Sequence, residues 1–395
     1  MIETRERLIH VLTEAAEVEH NVLCSYLYAA FSLKRANEVA KPEQGKAVER
    51  WRKQILSVAI EEMAHLAGVN NLLLAIGGAA HLDRPNLPVP PGYHPADIVV
   101  RLTPFDRATL DHFIFLERPE EVALPDAGGF EPNGPPRELR PGALTPSSVD
   151  YATLGELYDR IAEGFKGLAA RLGEGTLIDP DGRGQLRRAA AGMPDIDAIT
   201  SLDQALATIE RIKEQGEGSS GKQEDSHFDR FLAIREEWQA LLTDDPDFAP
   251  AWPAAADPVM RRPAEDAVRV WITAPAAAAE LDFGNAAYGL MLIVLSQIFG
   301  QEDEAEQGRL MQLAMRLMAV AGGVGNRLAR LPAIDGDSAV NAGLSFAVPR
   351  NLGIRPARWE IYIGERLAEL RTRAAALFEG EAKVEMLRRL GEPSR

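Results

Sequence analysis

The chain has almost no cysteine. Cys24 is the single one in 395 residues, so no intrachain disulfide can form and no zinc site can be built from four thiolates. Positive charge is also short. Lys and Arg number 43 against 59 Asp and Glu, a formal net charge of −16. That balance excludes a broad nucleic-acid face and an anionic membrane surface as targets. Long apolar runs are missing too. The longest, Ala286–Phe299, covers about 14 residues and includes Ser296 and Gln297, short of the roughly 20 that span a bilayer. The charged start, MIETRERLIH, has no apolar segment of the secretory kind. A reduced, cytoplasmic protein is expected, with neither nucleic acid nor membrane as a partner.

The hydrophobic fraction, 46%, is ample for a core. Residues 4–36 and 46–77 carry almost no Gly or Pro and read as two long helices. Pro42 and Gly45 mark their joint, which predicts an antiparallel hairpin. Thirteen of the 26 prolines then fall between His81 and Pro146, so that stretch cannot be long helix and should be a connection of turns and short strands. Helices are predicted at 153–172, 201–216 and 224–243. A second break, Asp244–Pro263, holds five prolines, and helices follow at 278–300, 304–330 and 357–390. A helical hairpin, a long crossover and further helices are the connectivity of a ferritin-type bundle. The expectation is an all-α, ferritin-like four-helix bundle over residues 1–245, with residues 78–150 as a Pro-rich crossover or lid. Residues 255–395 form an additional C-terminal helical region packed on it.

The first helix carries a misfit. The face Leu12, Ala15, Ala16, Glu19, Val22, Leu23, Tyr26, Leu27, Ala30 is apolar or aromatic except for Glu19. The face of Glu17 (His10, Thr13, Glu14, His20, Asn21) reads as solvated, so Glu17 is expected in water and Glu19 in the core. The second helix repeats the pattern: Ile55, Val58, Ala59, Glu62, His65, Leu66, Val69 and Leu73 form one face, with Glu62 and His65 three apart. Buried carboxylates cost several kcal/mol each unless compensated, and no Lys or Arg sits at the centre of either face. A shared metal is the simplest partner. A second Glu-x-x-His, Glu224 to His227, leads into Phe228, Phe231, Ile234, Trp238 and Leu242. Two such pairs plus one Glu from each of two other helices make a di-metal carboxylate set, suited to iron, with manganese as the alternative. Glu217 is the expected fourth carboxylate, with Glu156 and Glu163 as competitors. Four carboxylates would balance two divalent ions.

Tyr26, on the face of Glu19, is the candidate catalytic side chain, with a packing role as the alternative. His10, His20, His81, His94 and His112 read as structural or solvated, and Cys24 as a small buried hydrophobe. Gly322-Gly323-Val324-Gly325 follows no strand and is not read as a dinucleotide loop.

Glu19 through Leu27, Glu62 to His65, Gln215-Gly-Glu-Gly218 and Glu224-Asp-Ser-His227-Phe resemble the ferritin-like domain of the iminophenyl-pyruvate dimer synthase family of violacein and related bisindole pathways. Phe283 to Tyr288 and Ala342 to Phe346 look like that family's downstream helical part. Where the family's first motif usually carries prolines, this chain has Cys24 and Ser25, so its first helix should run straighter. The metal site together with the resemblance leads to the expectation of a non-haem di-iron oxidoreductase that uses O2 or peroxide on a small organic substrate in a biosynthetic pathway, with an aromatic amino-acid-derived molecule as one candidate. Two other classes stay open: an iron-binding, ferroxidase-like protein, and a metal-dependent scaffold for an oxidative coupling enzyme. A homodimer is compatible with each.

Overall fold

The computed structural model describes residues 2–391 apart from 91, 96–97, 132–136, 138–143, 147, 149, 194, 218–224, 265–267, 351 and 353–355. The chain is all-α, as expected. Its helices are α1 Arg5–Ser32, α2 Pro42–Ala75, α3 Arg107–Leu116, α4 Leu154–Leu172, α5 Glu174–Leu177, α6 Arg188–Ala191, α7 Leu202–Glu217, α8 His227–Asp244, α9 Pro275–Ile298, α10 Glu304–Leu328, α11 Trp359–Leu377 and α12 Gly380–Arg389. Two small sheets accompany them. Pro258–Val259 (β1) pairs parallel with Val270–Trp271 (β2), and Pro332–Ile334 (β3) pairs antiparallel with Asp337–Asn341 (β4).

The helix ends follow local chemistry. Thr4 accepts a hydrogen bond from Arg7 N–H at the start of α1, and Pro42 opens α2 at a position where the missing N–H costs nothing. α1 runs unbroken through Cys24 and Ser25. The stretch 357–390, read as one helix, is two: Phe378 and Glu379 are extended, and Gly380 takes a φ of 53° that only glycine adopts freely.

Two expectations need correction. The crossover is not merely turns and short strands. Between Pro104 and Pro119 it forms α3, capped by Asp106 accepting from Thr109 N–H and buried through Leu110, Phe113, Ile114 and Leu116. Nor is it a loose cover, since Leu82, Leu87, Ile98, Val100, Leu102 and Phe105 join the core. α9, at 24 residues, is also long and apolar enough to cross a membrane by length and composition. It is a core helix instead, with 67% of its most apolar window buried inside the protein.

α1 and α2 pack as the predicted hairpin, and both halves of the chain join one hydrophobic cluster around it. α4, α7 and α8 lie on one side of the hairpin. α9 and α10 lie on the other, where Phe31 of α1 presses on Gly325, inside α10 with Gly322 and Gly323. Trp51 of α2 donates to Glu237 of α8 at 2.6 Å and packs against Phe105, Trp238 and Phe248, joining hairpin, crossover and α8 at one end.

Candidate metal centre

α1 and α2 each turn one carboxylate into the space they share with α8. Glu19 and Glu62 are 4% and 3% exposed. Glu19, Glu62 and His65 form one trio whose ligand atoms all lie within 4.8 Å of one another, and Glu62, Glu117 and His227 form a second. Glu62 belongs to both. Nδ1 of His65 lies 3.0 Å from Glu62 and 3.5 Å from Glu19. Nδ1 of His227 lies 2.8 Å from Glu62 and 3.5 Å from Glu117, yet is aligned to hydrogen-bond with neither. A buried ring nitrogen aimed among carboxylates without a proper partner fits a metal ligand.

The outer nitrogens of both rings are engaged. Nε2 of His65 meets Oε1 of Gln215 at 2.9 Å. Nε2 of His227 meets Oε2 of Glu61 at 3.2 Å, and Arg230 holds Glu61 through contacts of 2.6 and 3.0 Å. An imidazole whose far N–H is so held has its other nitrogen free for a metal. The carboxylates are oriented too: Tyr158 of α4 donates to Glu19, and Tyr26 of α1 donates to Glu117. Phe113 and Phe231 pack on the Tyr26 ring, with centroids at 4.5 and 5.1 Å.

The electrostatics are those of crowded acids. Burial and the neighbouring Glu62 raise Glu19 to about 8. Burial opposes charge on His65, but Glu62 and Glu19 outweigh it and lift the ring to about 10. His227 is likewise raised against its burial, chiefly by Glu62. Burial also opposes the charge on Glu62, but the two imidazoles hold it well below the usual carboxylate range. Glu61, despite partial burial, is brought to about 2 by His227 and Arg230. Protons thus stand where cations would neutralise the cluster. A donor set of carboxylates and imidazoles in this number fits iron or manganese.

The structure rearranges the predicted set. The carboxylate brought into the second trio is Glu117, the C-cap of α3, which the sequence reading missed. Glu217 belongs to neither trio. It lines the same small cavity as Glu19, Glu62, His65 and Glu117, of about 20 Å³, and accepts from Gly155 N–H at 2.8 Å. A Cβ at residue 155 would overlap that carboxylate, so Gly155 permits the approach. Burial raises Glu217 to about 7. Glu224 lies outside the described residues. Glu156 pairs with Arg160 and Glu163 with Lys166, both away from the cluster.

The solvated face of α1 is also corrected. Glu17 is buried and meets His81 at 3.0 Å and Tyr93 at 3.1 Å. Glu14 pairs with Arg137 at 2.8 Å, and Asn21 contacts His94 at 3.2 Å. Crossover residues cover this face with polar partners, so its polarity did not mean exposure.

Comparison with known proteins bears on the family and the fold. A family model described as Ferritin-like matches residues 12–236. Dichlorochromopyrrolate synthase of Lentzea aerocolonigenes is 29% identical over 80% of this chain and 33% of its own length. The 2-imino-3-(indol-3-yl)propanoate dimerase of Chromobacterium violaceum is 26% identical over 80% of this chain and 31% of its own. The chain therefore spans about a third of the length of these curated relatives. A crystal structure of a ferritin-like protein from Caulobacter vibrioides shares the fold, with a TM-score of 0.52, 20% identity, and coverage of 84% of this chain and 98% of that one. With more than half of its residues matched by the family model, the chain belongs to the Ferritin-like family.

Proposed function

We propose that the protein is a non-haem di-iron oxidoreductase, with manganese as the alternative metal, that uses O2 or a peroxide on a small organic substrate in a biosynthetic pathway. The observation that carries the reading is the pair of buried carboxylate–imidazole trios sharing Glu62. Glu19, Glu62 and His65 would hold one ion, and Glu62, Glu117 and His227 the other, with Glu217 close enough to serve as the fourth carboxylate. Held by these residues, two such ions would supply redox chemistry toward O2 or a peroxide. The chain's own residues set the frame for that chemistry. Gln215 and Glu61 fix the imidazole rings, and Tyr26 and Tyr158 steady Glu117 and Glu19. The aromatic shell of Tyr26, Phe113 and Phe231 keeps water from that side. Both curated relatives bear enzyme names, one for a dimerase of an indole-bearing imine, which supports an aromatic amino-acid-derived substrate.

A second reading rests on the cavity beside the cluster. About 20 Å³ holds roughly one water, too little for an organic substrate, and favours a ferroxidase-like role or a metal-bearing partner for a separate coupling enzyme. Anaerobic Fe(II) loading followed by elemental analysis tests the centre, with close to two ions per chain expected and none overturning it. O2 uptake by the loaded protein that rises with an added aromatic imino acid supports the oxidoreductase. Uptake that follows iron alone supports the second reading.

A further inference from the structure

The other side of the α1–α2 hairpin is hollow. A cavity of about 370 Å³ lies between α1–α2 and α9–α10, in the size range of small-ligand sites. None of the metal-centre residues lines it. Met63, Met193, Met291, Met311, Met315 and Met318 line it, together with leucines and Phe346. A lining of long, unbranched thioethers reshapes readily around a flat ring and gains sulfur–aromatic contact. The cavity opens past Ile60 and Met315, which are exposed, so a ligand's ring would take this apolar lining out of water.

One corner is polar. The Tyr288 phenol lies 2.6 Å from Nε2 of His20, and Arg84 donates to its oxygen at 3.1 Å. Cys24 Sγ is 3.6 Å from the same oxygen. With His20 in the tautomer that carries its proton on Nδ1, the phenol donates to Nε2, and Arg84 takes one of the two acceptor positions of the phenol oxygen. Among the described residues the acceptor position that then remains faces Cys24, and a thiol is a weak partner that a ligand N–H or O–H displaces at little cost.

We propose that this cavity is a binding site for a planar aromatic small molecule with one N–H or hydroxyl at its edge, its ring among the methionines and its donor on Tyr288. The site is separate from the metal centre and does not depend on it.

The probe is 2-naphthol, whose fluorescence reports binding, with 2-methoxynaphthalene as the ligand that cannot donate. Saturable 1:1 binding of 2-naphthol is expected with or without metal. Ala67→Trp, which places a ring in the cavity, should abolish it, and Met318→Trp does the same from the α10 wall if the first variant fails to fold. Tyr288→Phe should weaken 2-naphthol about five-fold, the scale of one hydrogen bond, and leave 2-methoxynaphthalene unchanged. Three results overturn the proposal: no saturable binding, binding untouched in a folded tryptophan variant, or equal weakening of both ligands by Tyr288→Phe. A dimer that Ile60→Lys dissociates, with no 2-naphthol bound, assigns the apolar mouth to a second copy of the chain instead.

Discussion

The two sides of the α1–α2 hairpin are built from the same helices and do opposite things. Toward α4, α7 and α8 the hairpin presents Glu19, Glu62 and His65, and the space is filled to about 20 Å³. Toward α9 and α10 it presents Leu23, Leu27, Leu66 and Met63, and about 370 Å³ stays open. Neighbouring positions on a helix differ by about 100°, so residues one apart serve different chemistries. The charged side can afford no slack, because each buried carboxylate needs a partner at contact distance. The apolar side makes no such demand, since hydrophobic contact is non-directional.

The largest effect expected on the charged side is that of Glu62→Ala. It strips one ligand from both trios, so bound metal should fall from about two ions per chain to near none by elemental analysis. One ion retained would show that the trios do not share Glu62. Next is the contest for the fourth carboxylate. Glu117→Ala should cost one ion, whereas Glu217→Ala should keep both and weaken binding. The reverse order would return Glu217 to the ligand set. Arg230→Ala frees Glu61 and so loosens His227. Loss of such outer support weakens metal affinity about 10–100-fold, measured by competition with a chelator. A silent Arg230→Ala would mean that His227 needs no support.

Acidity sharpens the contrast further. In metal-free protein Glu19 is raised from 4.5 to about 8 and His65 from 6.5 to about 10. Each binds more protons folded than unfolded within its window, so the stability it contributes is lost as pH rises through that window. The thermal midpoint without metal should fall from pH 6.5 to 10. Metal affinity should climb over the same range, because the ligands must shed protons. A midpoint that rises with pH would show that the acids are not crowded. The smallest effect is that of Glu17→Ala, which removes an acceptor from Tyr93 and His81. A cost of about 1–3 kcal/mol is expected by denaturant unfolding, with metal content unchanged.

Glu19, Glu62 and His65 could be placed from sequence because α1 and α2 lack interruptions, so a charged residue on an apolar stripe has only one direction to face. Glu117 could not. It sits just before Pro119, in a stretch whose prolines argue against helix, and the proline-free window 105–118 is long enough to hide α3. One signal was available: Asp106 followed by Leu110, Phe113 and Ile114 is a cap and an apolar stripe. The buried polar face of α1 escaped for another reason. Periodicity reports polarity, and only tertiary structure shows whether polar partners arrive to cover it. Glu14, Glu17 and Asn21 are each met by a residue at least 60 positions away.

Glu61 and Glu62 are adjacent in α2, yet they grip His227 from its two ring nitrogens, at 3.2 and 2.8 Å. The imidazole is wedged between consecutive side chains, which fixes both the rotation of α2 and its position along α8. A single residue inserted between Trp51 and Glu61 would turn the following half of α2 by about 100°, while the Trp51–Glu237 contact held the other end in place. α2 therefore works as a ruler marked at two points, and a bound ion would report that every residue between them is in register.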